Sequence, residues 1–143
     1  GRRLSDSMGR YVAEQVVKAM IKKDSNVNKA SILMLGITFK ENCPDVRNTK
    51  IVDVVAALED FGTRVTIYDP WANEEEVKHE YGLESFGEFE KIEKQAGEQK
   101  FDAIVLGVAH KEFLDLDYES LKSAKCVVYD VKGFLKEKYD IRL

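Results

Sequence analysis

The residues best equipped for chemistry lie in one stretch, Gly36-Ile37-Thr38-Phe39-Lys40-Glu41-Asn42-Cys43-Pro44-Asp45-Val46-Arg47-Asn48-Thr49-Lys50. It carries three cations, Lys40, Arg47 and Lys50, among hydroxyl and amide side chains, and it runs from an apolar segment into an amphipathic one. Cations beside a helix N-terminus favour an anion such as a phosphate, because the unpaired N–H groups there carry partial positive charge. Arg47 can grip such a group bidentately, whereas Lys40 acts as a compact point charge. A loop whose charges only keep it hydrated has the same composition. Its place directly after a buried strand is what favours binding. Two phosphate-binding patterns are excluded. After Gly36 the next glycine is Gly62, so G-x-G-x-x-G fails, and no G-x-x-x-x-G-K-[ST] occurs. The stretch is therefore predicted not to hold NAD in the usual way.

Other candidates come after other strand-like segments. Asp69-Pro70-Trp71 follows the second, His110 the third, and Asp130-Val131-Lys132-Gly133 the fourth, so Lys132 is expected to face the same crevice as Lys40. Asp69 before a proline suits a turn as well as a functional role. His110 has no cluster of cysteines or carboxylates at ligand spacing, which argues against a metal site. Cys43 has no evident base partner and reads as an ordinary thiol.

The elements that position these residues alternate. Met8, Val12, Val16, Ala19 and Met20 mark one face of a leading helix over Ser5 to Lys23, with Ser5 or Asp6 as its cap and turn-forming residues after it. That helix is expected to stand apart from the rest of the chain. Ser31 to Ile37 reads as a strand covered on both faces. Ile51, Val54, Val55 and Leu58 form a helical stripe that closes at Gly62. Arg64 to Tyr68 is a second strand, and Glu74-Glu75-Glu76 begins a helix ending near Gly82 with its charges solvated. Phe86, Phe89 and Ile92 mark another helix, Phe101 to Gly107 a third strand, Leu116 to Leu121 a short helix, and Cys126 to Asp130 a fourth strand. The alternation predicts an α/β fold, a Rossmann-like parallel sheet with helices on both faces, preceded by a long N-terminal helix.

Composition agrees with one soluble domain. The chain has 143 residues, 22 basic against 26 acidic for a net charge of −4, and 44% hydrophobic residues. The mild acidity argues against nucleic acid as a partner, and no apolar run reaches the ~20 residues of a membrane span. Cys43 and Cys126 form no C-x-x-C pair and read as free thiols in a reducing cytoplasm.

The loop from Leu35 to Lys50 resembles, almost residue for residue, the C-terminal signature of the UDP-glucose/GDP-mannose dehydrogenase family. Gly1 to Gly9, Tyr68-Asp69-Pro70-Trp71 and Val108-Ala109-His110-Lys111-Glu112-Phe113 extend the resemblance, which is closest to the bacterial branch acting on UDP-N-acetyl amino sugars. Ser5 departs from that branch, which often has asparagine there. The resemblance implies an NAD-dependent oxidation of the sugar C6 alcohol to a carboxylate in two steps through a catalytic cysteine, serving capsule or other polysaccharide synthesis. It implies that residues 1–24 end a central connecting helix that builds a homodimer, and that residues 30–143 form the UDP-sugar-binding domain. Phe39 and Lys40 match residues that contact the nucleotide sugar. Arg47 matches an arginine that reaches toward the cofactor, and Lys132 stands where relatives place an arginine or lysine near the substrate. The NAD domain and the catalytic cysteine would lie upstream of Gly1, with Cys43 not that cysteine, so the chain alone is expected to be inactive. The alternative is a non-catalytic Rossmann-like regulatory module, such as a phosphorylation receiver, or a dimerisation module whose leading helix exposes an apolar face.

Overall fold

The computed structural model describes the backbone of residues 2–137 and 139–142, with side chains from Met8 onward. Its element order is α1 (Arg2–Lys22), β1 (Ser31–Leu35), α2 (Ile51–Asp60), β2 (Arg64–Tyr68), α3 (Glu74–Tyr81), α4 (Phe89–Glu98), β3 (Phe101–Leu106), β4 (Lys122–Asp130) and β5 (Ile141–Arg142). The strands form one sheet in the order β2-β1-β3-β4-β5, and every pairing is parallel. All five residues of β1 are buried, as its central place between β2 and β3 requires.

Because side chains alternate across a strand, the sheet divides the core in two. Ile32, Met34, Ala103, Val105, Val127 and Tyr129 face a cluster built with α1, α2 and Val77 of α3. Leu33, Leu35, Ile104, Leu106 and Val128 face the other way, toward Ile92 and Ala96 of α4 and the buried rings of Phe113 and Tyr118. Each such aliphatic side chain contributes roughly 1.5–3 kcal/mol on burial. The predicted three-layer architecture is the one observed.

Local chemistry explains the helix ends. Asn73 caps α3 by accepting from the N–H groups of Glu75 and Glu76, and Gly82 closes it at φ 68°. The acidic run Glu74 to Glu76 therefore lies in the first turn, where negative charge meets the positive end of the helix. Glu74 also accepts from the Gly87 N–H at 2.8 Å, a contact beyond the simple solvated face expected.

Several expectations change. The helix marked by Phe86 begins only at Phe89, because the N–H and carbonyl of Phe86 are bonded to Ile67 and Asp69 and extend the edge of β2. The Leu116 to Leu121 helix is reduced to a 3-10 turn at Tyr118–Ser120, capped by the Asp117 side chain and ended where the Leu121 carbonyl accepts from Phe101 N–H and β4 begins; another such turn spans Lys111–Leu114. The fourth strand starts earlier, at Lys122. The fifth, too short for a hydrophobic pattern, is set by Asp140, whose side chain accepts from Val128 N–H at 2.7 Å. Burial pushes the Asp140 carboxyl up, but the Val128 N–H and Lys23 outweigh it and hold it below its ordinary value.

The leading helix differs most from expectation. It runs from Arg2, so Ser5 and Asp6 lie within it and do not cap it, while their side chains fall outside those described. It does not stand apart. Val12, Ala13, Val16 and Met20 are within 1% of complete burial in the core shared with α2 and the sheet. The two helices approach so closely that a Cβ on Gly9 would sit 2.8 Å from the backbone carbon of Asp53. Gly9→Ala should therefore destabilise the chain by about 1–3 kcal/mol through overpacking, overriding the gain of up to about 1 kcal/mol in helix propensity. Urea denaturation checks this, and a variant as stable as the parent would show that the crossing is looser.

Candidate functional site

The strand order reverses direction between β1 and β3, and ligands of open α/β sheets bind where the exits of two such strands diverge. Gly36 ends β1 at φ +98°, and a Cβ there would lie 2.5 Å from the Val108 Cβ. Only glycine meets both demands, so the two exits can run side by side. Above them is an open cavity of about 240 Å³ lined by Thr38, Phe39, Thr49, Lys50, Val108 and Lys132, among others.

The loop carrying the first of these residues is tightly built. Thr38 and Thr49, both buried, meet across its stem through a bond from Thr49 Oγ1 to the Thr38 carbonyl at 3.4 Å. Phe39 N–H donates to the Asp45 carbonyl at 2.7 Å, and Tyr81 Oη donates to the Val46 carbonyl at 2.6 Å. Val46 plugs the core, 1% exposed. Asn42 and Asn48 take positive φ, 51° and 60°, which asparagine tolerates better than most residues.

A buried polar cluster anchors this loop. Asp69, 1% exposed, accepts at Oδ2 from the N–H groups of Ile37 at 2.7 Å and Thr38 at 3.2 Å. At Oδ1 it accepts from Trp71 at 2.8 Å and Ala72 at 3.1 Å. The carboxylate thus builds the turn expected of it and also anchors the loop after β1. His110, fully buried, places Nε2 3.0 Å from Asp69 Oδ2 and takes its place among the strand-end residues as a structural contact. Asp130 does for the other side what Asp69 does here. Its buried carboxylate accepts from Lys132 N–H at 3.1 Å and Leu135 N–H at 2.6 Å, fixing the segment that presents Lys132.

Of the site residues drawn from the sequence, Phe39 and Lys132 meet at the cavity, as do the strand ends that carry them. Phe39 shows a face 55% exposed. Lys40 is exposed and adjoins Phe39 without being among the cavity's lining residues. Arg47 is not among them either. Its Nε donates to Asp45 Oδ1 at 3.1 Å, with 74% of its side chain in solvent, and that pairing lowers the Asp45 carboxyl from its ordinary value. Sequence reasoning misses Thr38, Thr49 and Val108, because a threonine in a polar loop carries no pattern, and it reads Lys50 only as loop charge. Together Lys132 and the Phe39 ring offer an anionic ligand a cation and a flat apolar surface, with Lys50 also in the lining. Among the described residues no three His, Cys, Asp or Glu side chains form a metal-binding set.

Fold and site define a class: a doubly wound α/β domain with a switch-point cavity suited to an anionic ligand. Residues 33–137 match the UDP binding domain of the UDP-glucose/GDP-mannose dehydrogenase family, and the chain belongs to that family. It is 46% identical to a UDP-N-acetyl-D-glucosamine 6-dehydrogenase of Salmonella typhi over 147 aligned positions, covering 100% of this chain and 33% of that protein. It is 44% identical to the enzyme of that name from Pseudomonas aeruginosa, over 100% of this chain and 33% of that protein. The chain thus spans about a third of the length of these relatives. A solved NDP-N-acetyl-D-galactosaminuronic acid dehydrogenase from Methanosarcina mazei Go1 superposes with a TM-score of 0.78 at 21% identity, over 94% of this chain and 27% of that one, and shares the fold.

The buried groups lead to two expected outcomes. Asp69→Ala strands the N–H groups of Ile37, Thr38, Trp71 and Ala72 and should cost about 3–5 kcal/mol in chemical denaturation; a loss below ~1 kcal/mol would mean that water replaces the carboxylate. Both cysteines are free, but burial pushes the Cys126 thiol up to about 12, and the residue is 2% exposed. Iodoacetamide at pH 8 should therefore label Cys43 and spare Cys126, as read by peptide mass spectrometry.

Proposed function

We propose that this chain is the UDP-sugar-binding domain of an NAD-dependent nucleotide-sugar 6-dehydrogenase, which oxidises the C6 alcohol of a UDP-hexose or UDP-N-acetylhexosamine to a uronate. The observation that carries the reading is the meeting of Phe39 and Lys132 with Lys50 at the switch-point cavity, inside the segment that matches the family's UDP binding domain. The likeness to two UDP-N-acetyl-D-glucosamine 6-dehydrogenases favours an N-acetylated sugar. A 35% identity to Protein CapL of Staphylococcus aureus favours a role in capsule or surface polysaccharide synthesis.

The domain's part in the reaction is positioning. Lys132 holds the diphosphate from the cavity lining, and Phe39 with the adjoining Lys40 contacts the nucleotide sugar. Binding energy far from the reacting carbon then holds C6 in place for chemistry performed by another domain. The residues present do not fit NAD itself. The loop after β1 has no glycine between Gly36 and Lys50, so its backbone cannot approach a pyrophosphate as the G-x-G-x-x-G turn does. NAD is accordingly assigned to a separate segment, with Arg47 reaching toward it when the domains close. Residues 1–24 are read as the connecting helix and 30–143 as the binding domain. A homodimer would use the outer side of α1, where Met8, Tyr11 and Ile21 are 46%, 47% and 61% exposed. No helix among the described residues is long and apolar enough to cross a membrane, and the reading places the enzyme in the cytoplasm with its nucleotide-sugar substrate.

A phosphorylation receiver is disfavoured because β1 leads into Thr38-Phe39-Lys40, where a receiver needs clustered acids. Val12, Ala13, Val16 and Met20 are buried within the chain itself, so what α1 leaves for a dimer contact is Met8, Tyr11 and Ile21.

Kinetics of the full-length dehydrogenase test the proposal. Charge-assisted hydrogen bonds are worth about 1.5–3 kcal/mol, so Lys132→Ala and Lys40→Ala should each raise the KM for the UDP-sugar about tenfold or more, and Phe39→Ala by a comparable factor. Unchanged KM values in all three variants would overturn the assignment of this site.

A further inference from the structure

The buried histidine of the anchoring cluster makes more contacts than core packing needs. His110 Nδ1 accepts the backbone N–H of Asn42 at 2.9 Å. A nitrogen that accepts carries no proton, so the neutral ring holds its proton on Nε2. That atom lies 3.0 Å from both Asp69 Oδ2 and Thr38 Oγ1. Thr38 Oγ1 in turn donates to the Lys40 carbonyl at 3.0 Å, and Asn42 Oδ1 accepts from Lys111 N–H at 3.0 Å. The imidazole thus grips both ends of the short segment that presents Phe39 and Lys40, from Thr38 to Asn42. Trp71 stacks beside the ring at 6.1 Å and Phe113 meets it edge-on at 5.3 Å, which fixes its plane. Glu112 holds the Trp71 indole N–H at 2.9 Å.

We infer that His110 is a positioning residue for the ligand loop: as the Nε2-protonated neutral imidazole it ties the segment from Thr38 to Asn42 to the exits of β2 and β3, and so sets where Phe39 and Lys40 stand. Its ligand consequence rests on the nucleotide-sugar reading above. Without the latch, the segment keeps the bonds from Thr38 N–H to Asp69, from Phe39 N–H to the Asp45 carbonyl and from Lys111 N–H to Asn42 Oδ1 but loses the acceptor of Asn42 N–H, so the ligand must order more of it on binding.

The two ring nitrogens can be tested separately. In His110→Asn the amide oxygen replaces Nδ1 as the acceptor for Asn42, whereas in His110→Gln a polar group is retained near Nε2 and that acceptor is lost. Amide hydrogen exchange of this chain, with no nucleotide present, should show Phe39 and Asn42 exchanging about tenfold faster in His110→Gln, the loss of one hydrogen bond's worth of local stability. The Asn variant should restore most of that protection, and amides of Leu33 and Ile104 should be unchanged in both. Equal loosening of loop and core in the two variants, or an unchanged loop, would overturn the inference. The nitrogen-15 shifts of His110 in the unmodified chain provide a check that needs no folded variant: a proton on Nδ1 at neutral pH would overturn it as well. In the full-length dehydrogenase His110→Gln should raise the KM for the UDP-sugar far more than it lowers kcat, with rescue by His110→Asn; a loosened loop with unchanged KM would overturn the positioning role. The exchange data decide the latch without nucleotide, whereas the KM values of the Phe39, Lys40 and Lys132 variants decide the UDP-sugar reading, so the two can fail separately.

Discussion

The candidate site depends on one buried carboxylate. Asp69 sits at the exit of β2, yet its two oxygens accept four backbone N–H groups drawn from the exits of both β1 and β2. A charge without solvent is tolerated only when its hydrogen-bonding capacity is filled. Here the charge gathers N–H groups that leave the sheet and have no strand partner. Folding thus converts an electrostatic requirement into geometry: satisfying Asp69 forces the chain after β1 to turn where it does, and the cavity lies above that turn.

A second constraint couples the leading helix to the same place. Gly9 lets α1 lie against α2 at backbone distance, and α2 begins immediately after the ligand loop, at Ile51. The lower end of the loop is therefore set by a helix that packs against both α1 and the sheet. In the proposed enzyme a helix shared between two domains would be in contact with the element that carries the substrate loop, giving domain orientation a direct mechanical link to loop position.

Much of the fold was legible because it follows from periodicity. The continuous apolar run of β1, the stripe Val54, Val55 and Leu58, and the sharp stop at Asp69-Pro70 each have one cheap solution. The misreadings share a cause. Phe86 matched helical spacing with Phe89 and Ile92, but backbone bonding to β2 took precedence. The helix expected over Leu116 to Leu121 stops after one turn because the Leu121 carbonyl accepts from Phe101 N–H and β4 begins at Lys122. The fifth strand is two residues long and exists because Asp140 bonds to Val128. Each is decided by a specific bonding partner, which hydrophobic pattern does not carry.

For the site, the amino-acid sequence by itself determined the family resemblance, the loop, and the candidacy of Phe39, Lys40, Arg47 and Lys132, because residue type and order limit which ligands a segment can attract. Only the tertiary structure decided that Phe39 and Lys132 share a cavity with Lys50, that Arg47 turns to Asp45, and that Asp69 and His110 are buried and hydrogen-bonded to the loop. Those facts depend on register between strands that are far apart in the chain. A hydrogen bond is specified by position and direction in space, and the linear order of residues supplies neither until the sheet has formed.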